Sequence, residues 1–251
     1  MFYNENNNQK NIIEKSYNKI LINNLIMDII TATNINKSFY NNKTQNKVLH
    51  NISIGIEKGK ITTLMGASGA GKSTLLYILG TLENADTGEI VLDIDENKFQ
   101  YSNCNDKEIS KIRNQHIGFV FQFHHLLPEF SVLENILLPS LISKRNKIDL
   151  KNKAMNLLEN FSLLNIKNKK PSELSGGEQQ RAAIIRALIN EPEIIFADEP
   201  TGNLDSNNTD NMIQIIKKIN VDLKTTFLIA THSKQVADAS DKIIRIKDGK
   251  I

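Results

Sequence analysis

The sequence predicts an α/β fold built around a mainly parallel sheet, and three observations carry that expectation. Strand-like apolar runs alternate with segments of helical period along much of the 251 residues, the pattern of strands joined by helical crossovers. One strand-to-helix junction holds Gly66-Ala67-Ser68-Gly69-Ala70-Gly71-Lys72-Ser73, spaced G-x-x-x-x-G-K-S, between the apolar run Ile61-Thr62-Thr63-Leu64-Met65 and a helical segment from Thr74. Lys72, Gln122, Asp198, Glu199 and His232 all fall beside the C-terminal ends of predicted strands, the edge at which such a sheet takes its ligands.

Taken in order, residues 1–26 are rich in Asn and Lys with scattered Ile and Leu, and are expected to form a disordered or weakly helical extension. Met27 opens a more conventional start. Residues 28–35 alternate as a strand, Lys37-Ser38-Phe39-Tyr40 leads into a polar stretch expected to turn, and 48–56 alternate as a second strand. After the phosphate-loop helix, 87–92 read as a strand, 106–113 as a short helix, and 116–121 as a strand ending at Gln122. From about 123 to 190 the period turns helical, an inserted helical subdomain within one domain spanning 27–251. Ser131-Val132-Leu133-Glu134 has capping-box form, Asp149 can cap the next helix, and Ser175-Gly176-Gly177-Glu178 opens a third. Strands return at 194–199, 225–230 and 243–246, with a helix over 206–219.

Bulk properties exclude several classes. A 40% hydrophobic content supports a packed core, and no run of about 18 apolar residues is present to cross a bilayer, so a soluble polypeptide is expected. Net charge +3 is mild and Lys is spread along the whole length, so no nucleic-acid partner is inferred. Cys104 is the single cysteine and suits a reducing cytosol; no convincing signal peptide opens the chain.

The phosphate-loop spacing gives each part a task. The glycines let backbone N–H groups converge on phosphate oxygens while the following helix presents its positive end. Lys72 is expected to reach the β- and γ-phosphates, Ser73 to put its hydroxyl on Mg²⁺, and Thr74 to support the same turn. A Gly/Ala/Ser-rich stretch can also be a plain tight turn, but a plain turn does not require Lys-Ser at the helix start. Asp198 suits Mg²⁺ held through water, and Glu199 can orient or deprotonate an attacking water. Without the phosphate loop, that acidic pair could be merely a charge at a helix N-terminus. His232 is placed to contact the γ-phosphate and the water, although a lone His at a strand end is more often structural. Ser175-Gly176-Gly177 is a second anion site at a helix start.

Leu174-Ser175-Gly176-Gly177-Glu178-Gln179-Gln180-Arg181, with Pro200-Thr201-Gly202-Asn203-Leu204-Asp205, Gln122 and His232 in the same order, resembles the ATP-binding-cassette ATPases from about residue 28 to 251. The resemblance implies a P-loop cassette with an antiparallel β subdomain and an inserted helical subdomain, which binds ATP and Mg²⁺ and hydrolyses ATP. It implies ATP contacts from Gly66 to Thr74, Mg²⁺ contacts from Ser73, Gln122 and Asp198, and catalytic roles for Glu199, His232 and Gln122. Two copies would face head to tail, with Ser175, Gly176, Gly177 and Glu178 of one on the ATP of the other and Asp205 in the adjoining loop. Phe39 resembles the aromatic that stacks on adenine, with adjacent Tyr40 as the alternative. Glu178 stands where many members have Gln, a departure that touches the strength of that contact.

Phe121-Gln122-Phe123-His124-His125-Leu126-Leu127-Pro128-Glu129-Phe130, continuing to Pro139, resembles the lipoprotein-releasing branch of the family. That implies work with integral-membrane permease subunits at the cytoplasmic face of the inner membrane, with attachment through those partners only. The stretch His124 to Phe130 is expected to face them, anchored by Leu126, Leu127 and Phe130. Related efflux or cell-division cassettes are the alternative within transport, and non-transport cassettes the alternative outside it.

Overall fold

The computed structural model describes residues 27–41, 44–94, 97–142, 147–202 and 204–251; the 1–26 extension, the tip of the first hairpin and Asn203 lie outside the described residues. Two sheets organise the chain. β1 (Asp28–Asn41), β2 (Thr44–Glu57), β4 (Thr87–Ile94) and β5 (Asn97–Gln100) pair antiparallel in the order β2-β1-β4-β5. Ile52, Ile54 and Ile56 alternate into the core with exposed or half-buried neighbours between them, the period expected of a sheet with one covered face. Within the polar stretch expected to turn after Tyr40, Asn41 and residues 44–47 lie on the paired strands, with Phe39 opposite Asn46 and Tyr40 opposite Gln45, while residues 42–43 lie outside the described residues. Cross-strand hydrogen bonding there overrides the weak strand propensity of Asn and Gln.

The second sheet is parallel: β3 (Ile61–Met65), β6 (Ile117–Val120), β7 (Ile194–Asp198), β8 (Thr226–Thr231) and β9 (Lys242–Arg245), in the order β6-β7-β8-β3-β9. β7 and β8 are buried at every position, as befits central strands covered on both faces. Between the strands run α1 (Lys72–Leu79), α2 (Asp106–His116), α3 (Val132–Leu141), α4 (Lys147–Asn160), α5 (Gly176–Leu188), α6 (Ser206–Leu223) and α7 (Lys234–Asp238). His116 therefore closes α2 rather than opening β6. Asp149 does not cap α4; it sits inside the first turn, where a carboxylate still meets the positive end of the helix. Ser131 and Ser175 do cap α3 and α5, each with a reciprocal bond from the Glu three residues on.

α5 joins the sheet to the helical region. Ile184 and Leu188 pack with Ile195 and Ala197 of β7, while Ala182, Ile185 and Ile189 pack with Val132 and Ile136 of α3 and with Ala154 and Leu158 of α4. One buried side chain shapes the loop that leaves the sheet. Asn135, fully buried, accepts from the Leu127 N–H at 2.7 Å and donates to the carbonyls of Leu127, Phe130 and Ser131 at 3.0–3.1 Å. An Asn at this depth is tolerated because its amide is well paired.

Candidate nucleotide site

A cleft of about 580 Å³ opens where the edges of the two sheets meet. Its floor is the loop between β3 and α1, and two glycines make that loop possible. A Cβ on Gly66 would run into the carbonyl oxygen of Ile246, and Gly71, which precedes α1, has φ 99° and would press Leu49 at 2.9 Å. Ser68, Gly69, Gly71, Lys72, Ser73 and Thr74 line the cleft; Gly66, Ala67 and Ala70 shape it from behind. The Lys72 ammonium donates to the carbonyls of Gly66 and Ala67, each at 3.0 Å, and lies 3.9 Å from Glu199 Oε1.

The opposite wall comes from strand ends. Asp198, the last residue of β7, accepts from the Ser73 hydroxyl at 2.9 Å through Oδ1 and from the Tyr77 hydroxyl at 2.7 Å through Oδ2. Burial and the adjacent Asp198 carboxylate push the Tyr77 phenol well above its ordinary range. Glu199 turns the chain with φ 45°, its N–H donating to the Ala230 carbonyl at 2.8 Å. Its carboxylate accepts from the Thr231 hydroxyl at 2.8 Å and from the His232 N–H at 3.1 Å, and His232 Nδ1 lies 2.8 Å from Oε1. Gln122 lines the same wall against Gly202, where an added Cβ would stand 3.1 Å from its amide nitrogen. Phe39, not Tyr40, closes the far end; Tyr40 is three-quarters exposed outside the cleft.

Ser175, Gly176, Gly177 and Glu178 do not line this cleft, and neither does Asp205. The signature segment and the Asp205 loop lie together: a Cβ on Gly177 would meet Asn208 Oδ1 at 3.3 Å, and Asn208 is the residue whose N–H Asp205 caps at 2.8 Å. Glu178 accepts from both the backbone N–H and the hydroxyl of Ser175 at 2.8 Å, and those bonds hold its carboxyl below the usual range. Of the expected anchors, Leu127 and Phe130 are exposed and Leu126 packs half-buried on the helical core, and their neighbours divide likewise. Phe123 is exposed, whereas His124 is buried, because Arg186 of α5 draws the His124 and His125 carbonyls inward.

Four residues of the site escaped the sequence reading, Val48 of β2 among them. Tyr77 stands one helical turn after Ser73 and so shares its face, a spacing that could have exposed it. Thr231 precedes His232 at the strand end. Asn46 lines the cleft from the polar stretch that had been read as a turn.

A Gly-rich loop feeding a helix, a lysine in that loop and two strand-end carboxylates facing it define a P-loop nucleotide-binding protein. Comparison with known proteins narrows this: residues 49–202 match the ABC transporter family, and the chain belongs to that family. It is 48% identical over 204 residues to the lipoprotein-releasing system ATP-binding protein LolD of Cytophaga hutchinsonii, covering 81% of this chain and 91% of that one. The protein of the same description from Wigglesworthia glossinidia brevipalpis is 46% identical over 226 residues, covering 90% and 96%. Among solved structures, the dimeric bacterial ABC transporter cassette MJ0796 superposes with a TM-score of 0.81 at 38% identity, covering 88% of this chain and 96% of that one. The same cassette in a dimeric post-hydrolysis state bound to ADP and Pi gives a TM-score of 0.80 at 37% identity, with the same coverage.

Tyr77→Phe deletes one hydroxyl and leaves Asp198 Oδ2 without that donor. Denaturant unfolding of the nucleotide-free chain should show a loss of about 1.5–3 kcal/mol, the scale of a hydrogen bond to a charged group; unchanged stability would mean that the bond carries no weight.

Proposed function

We propose that this chain is the ATP-hydrolysing subunit that powers the release of lipoproteins from the inner membrane. The observation that carries the ATPase half is the cleft, where Lys72, Ser73, Asp198, Glu199 and His232 converge from separate elements. The lipoprotein half is supported by relatives at 46–48% identity that are described as lipoprotein-releasing ATP-binding proteins.

In this proposal the loop N–H groups and Lys72 bind the β- and γ-phosphates, with the Lys72 ammonium leaving the Gly66 and Ala67 carbonyls to do so. Glu199 receives a proton from the attacking water as ATP and water become ADP and phosphate. Thr231 and His232 fix that carboxylate by bonding its two oxygens, so its orientation is set before the water arrives. The Ser73 hydroxyl, the Asp198 carboxylate and the Gln122 amide form a sparse set of oxygen donors that fits Mg²⁺, an ion that takes few protein ligands and arrives with phosphate. Among the described residues no cluster of His, Cys, Asp and Glu offers an independent metal site, in keeping with an ion held jointly with the nucleotide. Mg²⁺ bound there would neutralise charge on the β- and γ-phosphate oxygens.

The signature segment belongs to a second copy's site in this reading. Ser175, Gly176 and Gly177 are exposed or half-buried at the start of α5 and away from their own cleft. Head-to-tail pairing puts them over the partner's ATP and brings the Asp205 loop to the same seam. Phe123, Leu127 and Phe130 form the face offered to integral-membrane permease subunits, and the chain sits on the cytoplasmic side of the membrane through them. No described helix is long and apolar enough to cross a membrane.

Glu199→Gln should keep ATP binding and cut hydrolysis by about two to four powers of ten, with dimers accumulating on gel filtration in Mg-ATP. A variant that binds ATP but stays monomeric would contradict the shared site. Ser175→Arg should bind ATP as a monomer and fail to turn it over. Leu127→Asp should melt normally and keep basal hydrolysis while losing co-purification with the permease; a collapse of the melting temperature would place Leu127 in the core instead.

A further inference from the structure

The far end of the cleft is built more specifically than a stacking platform needs. Phe39 and Asn46 stand directly opposite each other on β1 and β2, so their side chains share one face with Cβ atoms about 5 Å apart. Both line the cleft, as does Val48 of β2. The Lys37 ammonium lies over the Phe39 ring, 5.1 Å from its centroid. It is held there by Glu83 Oε1 at 2.8 Å and the Asn84 carbonyl at 2.7 Å. Lys37 is buried and does not line the cleft, so it backs one face of the ring and leaves the other to a base. The Asn46 amide makes no hydrogen bond among the described residues.

We propose that Asn46 reads the 6-amino edge of adenine and is a specificity-determining residue of this nucleotide site. The inference rests on the ATP reading above and adds recognition of the base to it. A base stacked on Phe39 turns an edge towards the strand opposite, and Asn46 is the polar side chain waiting there. Its amide presents an acceptor oxygen beside an N–H donor, and adenine presents an amino donor beside the N7 acceptor. The oxygen accepts from the 6-amino group while the amide N–H donates to N7. Guanine offers two acceptors, O6 and N7, on that edge, so the same pairing sets oxygen against oxygen. Stacking on Phe39 alone would make no such distinction.

Titration calorimetry in Mg²⁺ buffer with ATP, GTP and purine riboside triphosphate, which lacks the 6-amino group, tests this on the full chain. The native chain should bind ATP about threefold to tenfold more tightly than purine riboside triphosphate, the range of one net hydrogen bond, and GTP no better than the analogue. Asn46→Ala should make ATP and the analogue bind with equal affinity, ATP losing both contacts and the analogue only the one to N7; Phe39→Ala should weaken all three alike. Equal affinity for ATP and the analogue in the native chain, or a preference that survives Asn46→Ala, would overturn the proposal. Failure of the underlying ATP reading looks different: no nucleotide would bind, and Lys72→Ala would change nothing.

Discussion

Two carboxylates at the end of a buried strand set the requirements for everything around them. Asp198 is itself almost fully buried, and a charge at that depth is tolerated only with close partners. Those partners are hydroxyls of one helix, Ser73 and Tyr77, which reach it because β3 feeds α1 across the same sheet edge on which β7 ends. Glu199, one residue on, is served from β8, the strand next to β7 in the sheet. A parallel sheet with β7 beside β8 and β8 beside β3 is what brings the three sets together. Sliding one strand by a residue would send the Thr231 hydroxyl to the opposite face and leave Glu199 short of a donor.

On the proposed reading, the same arrangement leaves the site incomplete within one chain. Its walls come from β1, β2, the phosphate loop and the strand ends, while the helix start at Ser175 lies with the Asp205 loop elsewhere. α5 carries that helix start and packs on both β7 and the helical region, and through Arg186 it also grips the loop that leaves Gln122. His124 and His125 both adopt left-handed backbone there, with φ 60° and 48°, a conformation that costs on the order of 1–3 kcal/mol per residue and that the guanidinium bonds help to offset. Signature helix and Gln122 loop are thus tied by a charged clamp rather than by apolar packing alone.

Much of this was legible in the sequence, and the part that was not has a physical cause. The phosphate loop, the Asp198-Glu199 pair and the Ser175 capping box are readable because each requires particular residues at fixed spacing. Tyr77, Thr231, Asn46 and Asn135 gain their roles only from what the fold places opposite them. A Tyr on an amphipathic helix or an Asn in an Asn-rich run carries no local signal. The polar residues 44–47, expected to turn, are strand for the same reason: they are held by partners across the ladder, not by their own propensity. Leu126 and Leu127 are adjacent and chemically alike, yet one packs on the helical core and the other is exposed, because Asn135 fixes the backbone of Leu127 by its N–H and carbonyl.

The central claim is that this cleft is half of a nucleotide site whose other half is a second copy's Ser175-Gly176-Gly177. A crystal structure of the Glu199→Gln chain with Mg-ATP tests it most directly. The account predicts two copies head to tail enclosing two nucleotides, each γ-phosphate between Lys72 of one copy and Ser175 of the other; ATP enclosed by a single chain, or bound away from Lys72, would contradict it.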